Sequence, residues 1–157
     1  MWSCLYIRIR KYMLLYKEGE ERVKGLQPGE TETLEIVVQD DMRPTFDGNV
    51  VHDVMSTVTM IYYMEKVGRH VILPYLEEGE EGAGYEIQVK HIGPAVVGQR
   101  VKFTALCTEV TPKRVVCEVT AETSENIVGT GIFTQAIFKK EKMEARITEL
   151  RQTIAQK

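Results

Sequence analysis

From residue 53 to residue 73 the apolar side chains Val54, Met55, Val58, Met60, Ile61, Tyr62, Tyr63, Met64, Val67, Val71, Ile72 and Leu73 surround the chain instead of lining one stripe. A helix apolar nearly all round is a buried helix. Asp53 or Ser56 can cap its start, and Pro74 limits its end. A chain of 157 residues that devotes its most apolar helix to the interior needs a second layer to cover it.

That layer is written downstream at period two. Tyr85, Ile87, Val89 and His91 alternate with polar neighbours, as do Val101, Phe103, Ala105 and Cys107, then Val115, Cys117, Val119 and Ala121. These are strands with one dry face. Thr111, Pro112, Lys113 and Arg114 form a hairpin turn with proline at its first corner, so Cys107 and Cys117 are expected to face each other as small core residues. A last long strand covers 127–138, where Gly129-Thr130-Gly131 marks a bulge or a close backbone approach. Upstream, Leu34, Ile36 and Val38 place a half-buried strand in 31–38, and a polar loop follows over 39–49. Residues 77–84 read as a flexible turn, and residues 17–30 as a charged connector. Met143, Ile147, Leu150 and Ile154 recur at helical spacing in the tail, an amphipathic helix for the body or a partner. The expected class is α+β: an antiparallel sheet wrapped round a central helix. Its divisions are an N-terminal extension (1–25), the folded domain (26–139) and a C-terminal helix (140–157). Exposed sheet edges predict a homodimer with one continuous sheet.

Composition excludes several function classes. With 43% hydrophobic and 27% charged residues the chain is globular, and a formal charge of −3 with a pI near 5.7 argues against nucleic acid as a partner. Cys4, Cys107 and Cys117 are too few and scattered for a disulfide scaffold and read as reduced thiols. In residues 1–16 Arg8, Arg10 and Lys11 interrupt the apolar run, so the segment lacks the order of a targeting peptide, and no window reads as a membrane span. The cytoplasm is the expected compartment. His52, Asp53 and His70 lack metal-ligand spacing, so no metal or cofactor is expected.

Three residues can carry chemistry. Glu65 is the lone acid between Asp53 and Glu77, set in the apolar helix; it is either used, paired with Arg69, or snorkelling beside Lys66. His91 shares the dry face of its strand, as a core histidine or as a proton carrier directed at the helix. Thr57 opens the helix, where its hydroxyl either caps the backbone or sits among amides able to receive an oxyanion. If Thr57 and Glu65 share one ideal helix they lie about 12 Å apart along its axis. Either Thr57 then lies on the approach loop, folded back, or a second subunit supplies one of them.

Taken together, Thr57, Met64-Glu65 eight residues on, the run Pro74-Tyr75-Leu76-Glu77-Glu78-Gly79-Glu80, Gly84, and Val89-Lys90-His91 ahead of Gly98 resemble the hot-dog thioesterases, specifically the fluoroacetyl-CoA thioesterase group. The resemblance spans roughly residues 41–138. It implies a hot-dog fold and a catalytic triad at Thr57, Glu65 and His91, with the backbone of Gly84 at the reaction centre. The phenylalanines which that group carries shortly before its threonine are absent from 48–56, which read Gly-Asn-Val-Val-His-Asp-Val-Met-Ser. Hydrolysis of a short-chain acyl-CoA to free acid and CoA is therefore the implied activity, with the pantetheine arm entering between subunits. A non-catalytic acyl-CoA-binding module is the alternative.

Overall fold

The computed structural model describes residues 22–156. The strands are β1 (Thr31–Val37), β2 (Thr45–Phe46), β3 (Asn49–Val50), β4 (Glu80–His91), β5 (Arg100–Val110), β6 (Arg114–Glu122) and β7 (Ile127–Lys139). The helices are α1 (Thr57–Ile72) and α2 (Lys140–Ala155). Five strands form one antiparallel sheet in the order β1-β5-β6-β7-β4, and β2 and β3 make a separate small hairpin. The expectations that fall on residues 1–21, including the terminal basic cluster and Cys4, lie outside the described residues.

The sheet curls round α1 because its concave face supplies a largely apolar lining: Val101, Phe103, Ala105 and Cys107 from β5, Val115, Cys117, Val119 and Ala121 from β6, and Val128, Phe133 and Ile137 from β7. It is interrupted by buried Gln135, whose amide donates to the Gly68 carbonyl of α1 at 2.8 Å. Into it α1 sinks Met60, Met64, Val67, Gly68, Val71 and Ile72. Each large side chain among these stabilises the fold by about 1.5–3 kcal/mol relative to exposure. Cys107 and Cys117 are register partners in the core, and burial pushes the Cys117 thiol up to about 12, so both are inert apolar filler.

Glycines set how closely helix and sheet meet. A Cβ on Gly129 would fall 2.4 Å from Met60 Sδ, and one on Gly68 would fall 2.4 Å from the Phe133 ring. The Gly129-Thr130-Gly131 run thus serves close approach, and β4 and β7 keep register through it.

Three expectations need correction. α1 is buried on one side only, since Val58 is 77% and Tyr62 59% exposed and form an apolar strip beside Glu65. The turn at 77–84 is confined to 77–79, because backbone pairing with β7 draws residues 80–84 into β4 despite their glycines. Tyr85 does not share the dry face of β4: a register shift between Gly84 and Glu86 rotates it outward, where its ring stacks 3.8 Å from the Arg114 guanidinium. The bulge expected near Gly129 is present in the β6–β7 pairing, which slips between Ala121 and Glu122 opposite Gly129 and Ile127.

The connector at 17–30 also contributes to the core, through Val23 and Leu26. What seats Val23 is Glu80, a buried carboxylate whose Oε2 accepts from the Val23 amide (3.3 Å) and the Glu77 amide (3.1 Å) while Oε1 lies 3.5 Å from Lys139 Nζ. Burial alone would raise its pKa, but those amides and the Lys139 ammonium outweigh that and hold it below the usual carboxylate range. A carboxyl whose folded pKa is depressed adds stability above its unfolded value and loses it as pH falls through the folded one. Glu80→Ala is expected to destabilise the fold by about 3 kcal/mol at neutral pH, in urea melts, and by progressively less in acid. A pH-independent deficit would show that the carboxylate charge is not what matters.

Candidate active site

The start of α1 is held from three directions. Ser56, the N-cap, accepts from the Thr59 amide at 3.0 Å and donates its own amide to the Met42 carbonyl at 2.8 Å. The Met55 amide reaches the Ala95 carbonyl at 2.8 Å, and Thr59 Oγ1 donates to the Met42 carbonyl at 3.3 Å. Arg43 bridges Asp53 at 2.8 Å and Asp40 at 3.5 Å, tying the approach loop to the turn before β2. With Ser56 doing the capping, the Thr57 hydroxyl is released for another partner. That partner is His91, the last residue of β4, whose Nδ1 lies 2.9 Å from Thr57 Oγ1.

Thr57 is therefore the first residue of α1 and not part of a folded-back approach loop, which removes one of the two arrangements expected for it. Glu65 lies on the same helix, two turns further, about 12 Å along the axis. Its carboxylate rests against β4 at Gly84, where an added Cβ would come within 2.9 Å of Oε1. Glu65 is exposed in the single chain, contrary to an acid enclosed by apolar groups. Nor does Arg69 neutralise it by an i,i+4 pair: Arg69 turns to Glu81 at 2.8 Å and to the Gly82 carbonyl at 3.1 Å. One chain thus holds two half-sites, hydroxyl with imidazole at one end of β4 and carboxylate with glycine towards the other.

A cleft of about 650 Å³ opens beside the Thr57–His91 pair, between α1 and the β2–β3 hairpin. Its apolar wall includes Phe46, Val51, Val54 and Val58, with His52 on the rim side of the same loop. Asp53 is engaged by Arg43, and His70 lies in the last turn of α1 away from both, so these three residues do not converge. The hairpin and Phe46 went unread in the sequence, where 39–49 looked like a polar loop. Asp47-Gly48 was the available signal: both residues have positive φ, 51° and 80°, the requirement of a two-residue hairpin turn.

The hydroxyl–imidazole pair beside first-turn amides is the equipment for attack on a carbonyl, and the surrounding apolar cleft suits an acyl group. Known proteins agree with the fold. A Thermus thermophilus hypothetical protein, TTHA0967, described as a thioesterase superfamily member, is 33% identical over 85% of this chain and 99% of its own, with a TM-score of 0.82. The fluoroacetyl-CoA thioesterase FlK is 26% identical over 80% of this chain and 98% of its own, with a TM-score of 0.75, and a variant of it is known in complex with acetyl-CoA. A hot-dog-like protein from Thermanaerovibrio acidaminovorans superposes with a TM-score of 0.74 at 24% identity, over 79% of this chain and 92% of that one. No curated protein matches. The sequence model of the fluoroacetyl-CoA-specific thioesterases, FlK, matches residues 38–141, and with the sheet wrapped round α1 in the hot-dog manner, the chain belongs to that thioesterase family.

Proposed function

We propose that this protein hydrolyses a short-chain acyl-CoA to the free acid and CoA, with Thr57, Glu65 and His91 as its catalytic groups and Gly84 at the reaction centre. The 2.9 Å contact between Thr57 Oγ1 and His91 Nδ1 carries the reading. A thiol of pKa about 8.5 leaves readily as thiolate, so the demanding step is attack on the carbonyl. His91 takes a proton from the attacking water as its oxygen bonds to the carbonyl carbon, and the carbonyl oxygen is received by the amides opening α1. Collapse breaks the C–S bond, giving the free acid and a CoA thiolate that takes up the proton held by His91. The cytoplasmic setting expected from the sequence belongs to the same proposal; among the described residues no helix is long and apolar enough to cross a membrane.

The carboxylate comes from a second copy. β4 is an edge strand of 12 residues, flanked by the exposed Val58 and Tyr62 of α1, and an edge of that length invites pairing. Antiparallel pairing of two β4 edges about a twofold axis between Ile87 and Gln88 sets Gly84 of one copy opposite the partner's His91. The Glu65 of each chain then serves the Thr57–His91 pair of the other, which resolves the 12 Å separation within one helix.

Release of free thiol from acetyl-, propionyl- and longer acyl-CoA tests the proposal, with Gly84→Ala as the internal probe. Wild-type protein is expected to turn over the short substrates. The variant, whose added methyl crowds the end of the flexible Glu65 side chain at 2.9 Å and meets the Phe133 ring at an ordinary 3.5 Å, is expected to keep its Tm within a few degrees and lose most of its kcat. Acyl-CoA binding without any turnover in the wild type would instead identify a carrier or sensor.

A further inference from the structure

Among the described residues two polar side chains are buried, Glu80 and Gln135, and the amides and ammonium around Glu80 account for the first. Gln135, 1% exposed, lies in β7 between Phe133 and Ile137 of the apolar lining, where an aliphatic side chain would fill the space without the cost of burying an amide. Its Nε2 donates to the Gly68 carbonyl at 2.8 Å. That carbonyl lies within α1 and is served by the helix's own ladder, so no orphaned backbone group calls for the contact.

What the contact fixes is the turn that carries Glu65. Gly68 is the i+3 neighbour of Glu65, about 4.5 Å further along the axis. Gln135 is the register partner of Gly84, on which the Glu65 carboxylate rests. The four residues close a circuit: Glu65 over Gly84, Gly84 paired with Gln135, Gln135 bonded to Gly68, and Gly68 less than one turn from Glu65. Phe133 limits it from below, since a Cβ on Gly68 would fall 2.4 Å from its ring and one on Gly84 3.5 Å from it. The ring stops the helix from moving closer to the sheet, and the Gln135 amide stops it from lifting away. The carboxylate itself receives no hydrogen bond or ion pair from a described residue, Arg69 having turned to Glu81 and the Gly82 carbonyl. Its placement therefore comes from the backbone beneath it, and a displacement of about 1 Å at a reacting group can cost about 10²-fold in rate. Arg69 ties the same turn to β4 from outside, but its side chain and that of Glu81 are 39% and 28% exposed, so water screens that tie.

We propose that Gln135 is a positioning residue for the hydrolysis, holding Glu65 over Gly84 through the Gly68 carbonyl; the proposal rests on Glu65 being catalytic, as inferred under the proposed function. Gln135→Met keeps the volume and removes the donor. In thiol-release assays it is expected to lower kcat about 10–100-fold while KM stays within about twofold. Placed in the Glu65→Ala background, the same change should alter the residual rate by less than about twofold, because no carboxylate is left to misplace. A merely structural role would lower the rate in both backgrounds. Gln135→Asn, whose amide is one methylene too short to reach Gly68, gives the same readings if Gln135→Met does not fold. Equal losses in the two backgrounds, or a Gln135→Met kcat within about twofold of wild type, would overturn the proposal and leave the thioesterase assignment standing. Wild-type protein without turnover, or Glu65→Ala as active as wild type, would overturn that assignment of the site and the proposal with it.

Discussion

His91→Ala is expected to lower kcat for short-chain acyl-CoA hydrolysis by about 10²–10⁴-fold, the usual contribution of a positioned proton carrier. Thr57→Val should fall in the same range, because the 2.9 Å contact makes hydroxyl and imidazole one unit. The double variant should be scarcely worse than either single one, since groups acting as a unit do not add. Such a loss corresponds to about 2.7–5.5 kcal/mol of transition-state stabilisation. Thr57 is exposed and His91 half-buried, so thermal melts should move little. Free-thiol release at saturating substrate measures the effect. A decrease smaller than about tenfold for either residue would remove both from the chemistry.

The second large effect concerns ownership of the site. Glu65→Ala and His91→Ala homodimers should each be nearly inactive. Co-expressed in equal amounts they form about half heterodimers, each with one intact site out of two, so activity should recover to about a quarter of wild type. If instead each chain used its own Glu65 and His91, every site would lack one group and no recovery would occur. Light scattering of the same samples reports the mass, and a clean monomer at micromolar concentration would sink the shared site regardless of activity. The test discriminates because Glu65 and the Thr57–His91 pair lie two turns apart on α1, a separation that mutation does not alter.

Much of this architecture was legible in the residues. Period-two runs placed β5, β6 and the second half of β4 and put Cys107 opposite Cys117, since strand parity assigns a face. Proline placed the corner at Thr111-Pro112 and limited α1 before Pro74. What failed did so where side chains were small or the chain was bulged. The glycines of 79–84 hid the start of β4, whose pairing is a backbone affair. The bulge at Gly84/Glu86 reversed the parity that had placed Tyr85 indoors. Residues 39–49 hid a hairpin because its strands are two residues each and carry no period.

The candidate site divides along the same line. Thr57, Glu65, His91 and Gly84 were picked out from the sequence, as residue types that are costly or conspicuous in an apolar setting, and from their resemblance to a family. Their partnership was not readable there. Ser56, one of the caps the sequence offered, leaves the Thr57 hydroxyl to His91, and Arg69 prefers Glu81 to Glu65, because both of those partners are brought in by β4. Sequence by itself determined periodicity, and with it the layers, the core and the class of fold. Only the tertiary structure decided which polar atoms meet, because hydrogen bonds and ion pairs act over about 3 Å, a scale that is set by strand register and helix docking and that no one-dimensional pattern encodes.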